Sequence, residues 1–445
     1  MAAPACDHPA DAIAARALRK VTWRLIPLIA LGYGTAYMDR VNISFASLQM
    51  NRDLHFSNTV YGLGAGLFFL SYAACEVPSN LLLYRFGARR WLARIMVTWG
   101  VIAMAMIFVR TPRQFYLVRF LLGMAEAGFF PGVVFYLMEW FPAELRARTI
   151  TRFYVSGPLS SVFMGVVAGA LLKLQGRLSL AGWQWLFLVE ALPAVVLGVV
   201  FFRYLPDSPA EALWLTERER QTILAGVGRQ SARNSAASQG GGESIGPALR
   251  DRRVWLLGAF MFCMLASIYA YSFSAPAILQ SLTGLSITKV GFVVAGMFLL
   301  GAVSMVCGGV LSDRAAEPFR YILPGCLLMV AGFLGCGFSR AQAIAIPALS
   351  LVVIGNYVMQ GPLWSLSATF LSGRSRAAGI AVMNTIGILG GFIGPYWMGY
   401  AKDLTGNDQR GLLTMSLPML LAAAIMIYLR GLARRTALAA SVPGE

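Results

Sequence analysis

Residues 290–311 read VGFVVAGMFLLGAVSMVCGGVL, an uncharged run closed at once by Ser312-Asp313-Arg314. As an α-helix rising about 1.5 Å per residue, it reaches across a hydrocarbon layer of about 30 Å. Comparable runs recur along the chain, and we place spans at 22–47, 59–83, 91–109, 114–138, 149–173, 183–204, 254–280, 289–311, 319–338, 343–371, 377–400 and 411–430. In lipid every backbone N–H and C=O must be satisfied internally, so only helices or closed barrels cross, and these runs are too long for barrel strands. The sequence predicts an all-α membrane protein of twelve transmembrane helices.

Composition leads to the same place. Of 445 residues, 58% are hydrophobic and 13% charged, with a mean hydropathy of +0.65. A water-soluble domain of this size cannot hide so much apolar surface. The net charge of +17 does not signal nucleic-acid binding, because the basic residues stand singly in short loops rather than in one patch. Sorted by loop, about 26 of the 37 Lys and Arg residues fall on the side of the termini and about 9 on the other, with Arg40 and Arg119 inside spans; this asymmetry predicts both termini in the cytoplasm of a bacterial inner-membrane protein. The first apolar run is expected to stay as a helix, with no cleaved signal peptide. The six cysteines form no CxxC pair and read as packing residues. Cys6-Asp7-His8 is too short for a metal site.

The longest polar segment divides the chain into a cytoplasmic tail (1–21), a six-helix half (22–204), a cytoplasmic linker (205–253), a second six-helix half (254–430) and a closing tail (431–445). The linker is expected to hold a short amphipathic helix through Arg220, then a flexible Gly/Ser-rich tether from Ser235 to Gly246. Two such halves suit a transporter that rocks one half against the other. After span 2 comes the run from Asn80 to Arg90, with Arg85, Gly87, Arg89 and Arg90; after span 8 comes Gly309-Val310-Leu311-Ser312-Asp313-Arg314. Both resemble the G-x-x-x-D-R-x-G-R-R loop of the major facilitator superfamily. That resemblance implies a latch between the halves on the cytoplasmic side. Tyr84 replaces the acidic residue of the first copy, and the second copy stops after Arg314.

An ionisable side chain at mid-membrane costs roughly 2.5–3.5 kcal/mol, so each one needs a reason. Asp39 and Arg40 interrupt span 1, Arg119 and Glu126 lie in span 4, and Glu76 and Glu190 lie in spans 2 and 6. From helical rise, Asp39 and Arg119 sit roughly 25 and 22 Å from the cytoplasmic edge, and are therefore level. Glu126 follows Arg119 by close to two turns, so both share a face with Tyr116, Gly123 and Phe130. Asp39 with Arg119, or Arg40 with Glu126, can be read as helix-locking ion pairs. Buried pairs are weak stability devices, and two acids beside two bases suit a coupling site better. A carboxylate there is pulled in opposite directions by desolvation and by a nearby arginine. It can change protonation as the arginine turns to an arriving anion.

The phrase Tyr37-x-Asp39-Arg40-x-Asn42, the run from Arg119 to Pro131 and Gly361-Pro362-Leu363-Trp364-Ser365 resemble the anion:cation symporter branch. The block Ala378–Gly406 is similar to its tartrate-type bacterial members. The resemblance implies proton-carrying roles for Asp39 and Glu126, anion and charge-network roles for Arg40 and Arg119, and cavity positions for Tyr37, Tyr72 and Asn384. Ile388 stands where many relatives have Asn. Along span 10, Asn356, Gln360, Trp364 and Ser365 follow a helical spacing and are candidates to face the substrate or to serve as interhelical glue. Tyr269, Tyr271 and Ser272 read first as packing, and Glu76 and Glu190 as hydrogen-bond partners at helix contacts. The expectation is proton-coupled uptake of a small organic anion such as tartrate by a functional monomer in the lipid bilayer. No enzyme activity and no cofactor beyond the coupling proton are expected. Phosphate-ester exchange fits less well, since the second-half spans carry Lys or Arg only at their ends. Export of drugs or organic anions, and a solute sensor that moves nothing, stay open.

Overall fold

The computed structural model describes residues 9–238, 245–315, 317–338, 341–370 and 376–441. The side chains of Asp313 and Arg314, and residues 239–244 of the tether, lie outside the described set. The spans are α1 (Pro9–Asp53), α2 (Asn58–Phe86), α3 (Ala88–Phe108), α4 (Pro112–Met138), α5 (Thr149–Leu174), α6 (Gly182–Tyr204), α7 (Arg252–Thr283), α8 (Ile287–Ser312), α9 (Phe319–Phe338), α10 (Ala343–Leu366), α11 (Gly379–Thr405) and α12 (Asp408–Arg435). Eleven of these are long and apolar enough on their own to cross a membrane. The twelfth is α1, whose hydropathy is diluted by Asp39, Arg40 and Asn42. Exposed apolar side chains such as Phe163, Val199, Phe292, Leu300 and Val303 give the bundle a lipid-compatible exterior.

Two elements differ from the sequence expectation. Span 4 is not one unbroken helix: it stops at Glu126 and restarts at Phe129. Gly128 between them sits at φ 87°, where a Cβ would also come within 2.3 Å of Ser79 Oγ. In the linker, the helix begins at Glu217 and runs to Ser238, beyond Arg220 and into the start of the expected tether. A reciprocal cap sets its start, with Glu219 N–H donating to Thr216 Oγ1 at 3.4 Å and Thr216 N–H to Glu219 Oε2 at 3.0 Å. Lys20 of α1 also donates to Glu219, tying linker to bundle. That bond holds the Glu219 carboxyl below its ordinary range, so the tether survives mild acid and is lost only as pH falls through the lowered value.

The first-copy motif meets its own half and the linker. Gly87, at φ 83°, turns the chain between α2 and α3, and the Arg89 N–H donates to Asp207 Oδ1 of the linker at 2.7 Å. The halves themselves meet chiefly along two seams, α2 with α11 and α5 with α8, at the end of the bundle remote from the termini. Backbones approach closely there: a Cβ on Gly62 would lie 2.3 Å from Pro395 O, and one on Gly165 would lie 2.5 Å from Gly291 O. Small residues permit such contact between helices in lipid. Asp403 of α11 clamps the start of α2. Its carboxylate accepts from Asn58 N–H and Nδ2 at 3.2 and 2.7 Å, and from Thr59 N–H and Oγ1 at 2.7 and 2.6 Å.

This clamp has to open whenever the remote end opens. Asp403→Ala is expected to shift the population toward separated halves at that end. Spin labels at His55 and Arg410 measure it as a longer-distance component. An unchanged distance distribution would show that the glycine seams alone hold the end shut.

Candidate functional site

Between the halves lies a cavity of about 120 Å³. Its first-half wall carries Tyr33, Tyr37 and Arg40 of α1, Tyr72 and Glu76 of α2, Phe130 of α4 and Tyr154 of α5. Facing them are Met261, Met264, Tyr269 and Ser272 of α7, Asn356, Tyr357, Gln360 and Trp364 of α10, and Asn384 and Ile388 of α11. Tyr33, Tyr37 and Arg40 fall at i, i+4 and i+7, which puts them on one face of α1. The lining is aromatic with a few polar tips, the usual character of a small-molecule site. Hydroxyls cross from half to half: Tyr37 and Tyr357 oxygens lie 3.3 Å apart, and Tyr154 donates to Gln360 Oε1 at 3.3 Å. Tyr33 stacks on Tyr154 with ring centroids 5.6 Å apart.

Arg40 is the cation on this wall. Its Nε donates to Glu126 Oε1 at 2.8 Å, and its Nη2 also bonds that oxygen. The guanidinium lies 5.1 Å from the Tyr72 ring centroid and 5.6 Å from that of Phe68. The pair is asymmetric in exposure: the Arg40 side chain is 15% accessible and Glu126 0%. The arginine can meet a solute while the carboxylate stays sealed behind it.

The sequence candidates therefore separate into two groups. Tyr37, Arg40, Tyr72, Gln360, Trp364 and Asn384 line the cavity. Asp39, Arg119 and Glu126 are buried behind its wall, and Ser365 is exposed away from it. Arg119 packs 5.0 Å from the Phe68 ring centroid and donates weakly to Gly64 O and Ala65 O, at 3.4 and 3.5 Å. It is not among the residues that line the cavity. Asp39 accepts from Asn42 Nδ2 at 3.3 Å. Of the two ion pairings left open by the sequence, Arg40–Glu126 forms; none within 4.0 Å joins Asp39 to Arg119 among the described residues. Glu76 is both a helix-contact partner and a wall residue, accepting from Asn384 Nδ2 at 3.3 Å. Tyr271 is a packing residue, whereas Tyr269 and Ser272 reach the cavity.

The sequence reading missed Tyr33, Tyr154, Phe130 and Tyr357 as wall residues. Tyr33 was findable, one turn before Tyr37 on the Arg40 face. Tyr357 lies one turn before Gln360 and two before Trp364, so the span 10 stripe already pointed to it. Nothing local marks Tyr154.

Twelve helices in two halves around a polar, aromatic-lined cavity define a membrane transporter. The chain belongs to the Major Facilitator Superfamily, whose family model matches residues 29–395. It is 44% identical over 415 residues, covering 93% of this chain and 91% of the relative, to an Agrobacterium vitis protein provisionally named a tartrate transporter. It is 38% identical over 408 residues, covering 91% and 92%, to a quinolone resistance transporter of Acinetobacter baumannii. The fold matches a bacterial homolog of the human lysosomal transporter Spinster in an inward-facing, occupied conformation, with a TM-score of 0.74 and 16% identity over 95% and 98% of the two chains.

Removing one partner of a buried ion pair strands the other, at about 3–5 kcal/mol. Arg40→Leu is expected to lower thermal stability in detergent by that order, and Arg40→Leu with Glu126→Leu to recover most of it. A double variant no more stable than the single one would place the loss in Arg40's ring contacts instead.

Proposed function

We propose that this transporter takes up a small organic anion, such as tartrate or another hydroxy or aromatic carboxylate, by proton-coupled symport. The observation that carries the reading is the asymmetric pair: a cavity-facing Arg40 whose counter-ion, Glu126, is out of contact with the cavity. An arriving carboxylate competes for the guanidinium. As it takes over Arg40, Glu126 loses its partner, and a buried carboxylate without one is relieved by a proton. Anion and proton binding then favour each other.

Asp39 is the second proton-carrying acid, facing Arg119, which balances charge in the network rather than holding the anion. Tyr37, Tyr72, Gln360, Trp364 and Asn384 orient the solute. The closed seams at the end remote from the termini support a state open toward the termini, which the loop charges place in the cytoplasm. Arg85, Gly87, Arg89 and Arg90 of the first copy and Gly309, Asp313 and Arg314 of the second then serve as the cytoplasmic latch when that end closes, and the protein works as a monomer. The relative named for quinolone resistance keeps export as the second reading.

Uptake of labelled tartrate and a panel of small organic acids into membrane vesicles, with and without an inward proton gradient, tests the proposal. Accumulation of one acid only under the gradient supports symport. Gradient-driven loss of solute from preloaded vesicles would support export, and heat stabilisation without flux would support a sensor.

In the symport case, Asp39→Asn is expected to abolish accumulation. Glu126→Gln is expected to retain exchange across the membrane while net uptake falls at least tenfold. Net uptake at the parental rate would remove Glu126 from the coupling step. Arg40→Lys keeps a charge but loses the flat guanidinium fork. We expect its half-saturation concentration to rise about tenfold, or about 1.4 kcal/mol, and an unchanged value would exclude direct contact with the anion.

A further inference from the structure

Glu190 lies in the middle of α6 and is 3% exposed. Neither of its carboxylate oxygens has a hydrogen-bond partner. It faces Asn42 and Asp39 across the packed contact between α1 and α6. Among the described residues no other ionisable side chain is seen to meet it: α3 has none from Ile95 to Phe108, and α5 has none from Ser156 to Leu171.

The buried charges do not balance. Arg40 is engaged with Glu126, and Arg119 is the cation neighbouring Asp39. A third carboxylate, Glu190, is left with no cation. Ionised, it would be an uncompensated charge away from water, at a cost of several kcal/mol.

The hydrogen bonding has a matching gap. One N–H of Asn42 Nδ2 goes to Asp39 Oδ1, while Asn42 Oδ1 is buried without a donor. A proton on Glu190 fills both needs, cancelling its charge and donating to Asn42 Oδ1. The chain then runs from Glu190 O–H to Asn42 Oδ1, and from Asn42 Nδ2–H to Asp39 Oδ1.

We infer that Glu190 is a proton-binding site, holding a resident proton that orients Asn42 and, through it, Asp39. This deepens the reading of Asp39 as a coupling acid and rests on that reading only for its consequence in transport. Asp39 then changes protonation against a neighbour whose own charge is already neutralised. Glu190 does not line the cavity and is a positioning residue toward the anion.

The resident proton can be observed without a substrate. Infrared spectra of the purified protein at neutral pH are expected to show the C=O stretch of a neutral carboxylic acid. Glu190→Gln is expected to remove the intensity of a single carboxyl while keeping the melting temperature, because a glutamine amide also donates to Asn42 Oδ1. A band undiminished in folded Glu190→Gln overturns the assignment. So does a wild type that lacks the band in sodium buffer and gains it in choline buffer, since an alkali cation would then fill the site.

Should Glu190→Gln fail to fold, labelling the wild type with carbon-13 glutamate decides. The band shifts if a glutamate holds the proton, and an unshifted band places it on an aspartate and overturns the assignment. To separate Glu190 from Glu126, the labelled spectrum is repeated in Glu126→Gln, where the shifted band is expected to persist and its loss would overturn the assignment. Failure of the symport reading is distinguishable, because vesicles that accumulate no acid leave the infrared result untouched.

Discussion

A guanidinium at the cavity wall with its carboxylate sealed behind it is the interaction on which the rest of this structure depends. Burying Glu126 is costly unless a cation stays against it, and Arg40 can stay only if α1 and α4 keep their register. That register is fixed by close packing around α2. A Cβ on Gly123 of α4 would lie 2.1 Å from Phe68 O, and one on Gly64 of α2 would overlap the Phe115 ring. The glycines let α2 and α4 close up. Phe68 then lies between two guanidinium groups, Arg40 at 5.6 Å and Arg119 at 5.0 Å from its ring centroid.

The first half therefore carries the charge, and the second half carries neutral polar tips and aromatic surface. Across the cavity, α10 offers Asn356, Tyr357, Gln360 and Trp364, and α11 offers Asn384. Contacts between halves through the cavity are single hydroxyl or amide bonds such as Tyr37–Tyr357 and Tyr154–Gln360. Such bonds are worth about 0.5–1.5 kcal/mol each, small enough to be exchanged for bonds to a solute. The seams at the remote end are tighter, with backbone against backbone. The solute contacts are thus cheap to rearrange, while the choice of which end is closed rests on helix packing and on the Asp403 clamp.

Much of the fold was legible because lipid leaves the backbone few options. Span count, the division into halves and the ionisable positions all follow from runs of apolar residues and their interruptions. The break at Gly128 was not legible, because a glycine in an apolar run is equally at home inside a transmembrane helix. Ser79 of α2 also comes so close there that a Cβ would not fit. The linker helix was misjudged because composition outweighed the Thr216–Glu219 cap. At the site, helical rise placed Asp39 level with Arg119, yet level is not adjacent to the cavity. Depth is a one-dimensional quantity, and whether a side chain lies in front of Phe68 or behind it depends on helix rotation that the sequence does not report.

Glu190 shows the same limit from the other direction. From sequence it is a solitary acid on an apolar helix, most simply a hydrogen-bond partner at a helix contact. The structure supplies the contact but no hydrogen bond to either carboxylate oxygen, while Asn42 Nδ2 donates to Asp39. A buried carboxylate with neither a cation nor a hydrogen bond is relieved by carrying a hydrogen of its own. Asn42 thus makes the two acids unequal: Asp39 receives a donor and the field of Arg119, and Glu190 receives neither. Two carboxylates on adjoining helices are in this way given different protonation states by a single amide. The division holds only while α1 and α6 stay packed together within the first half.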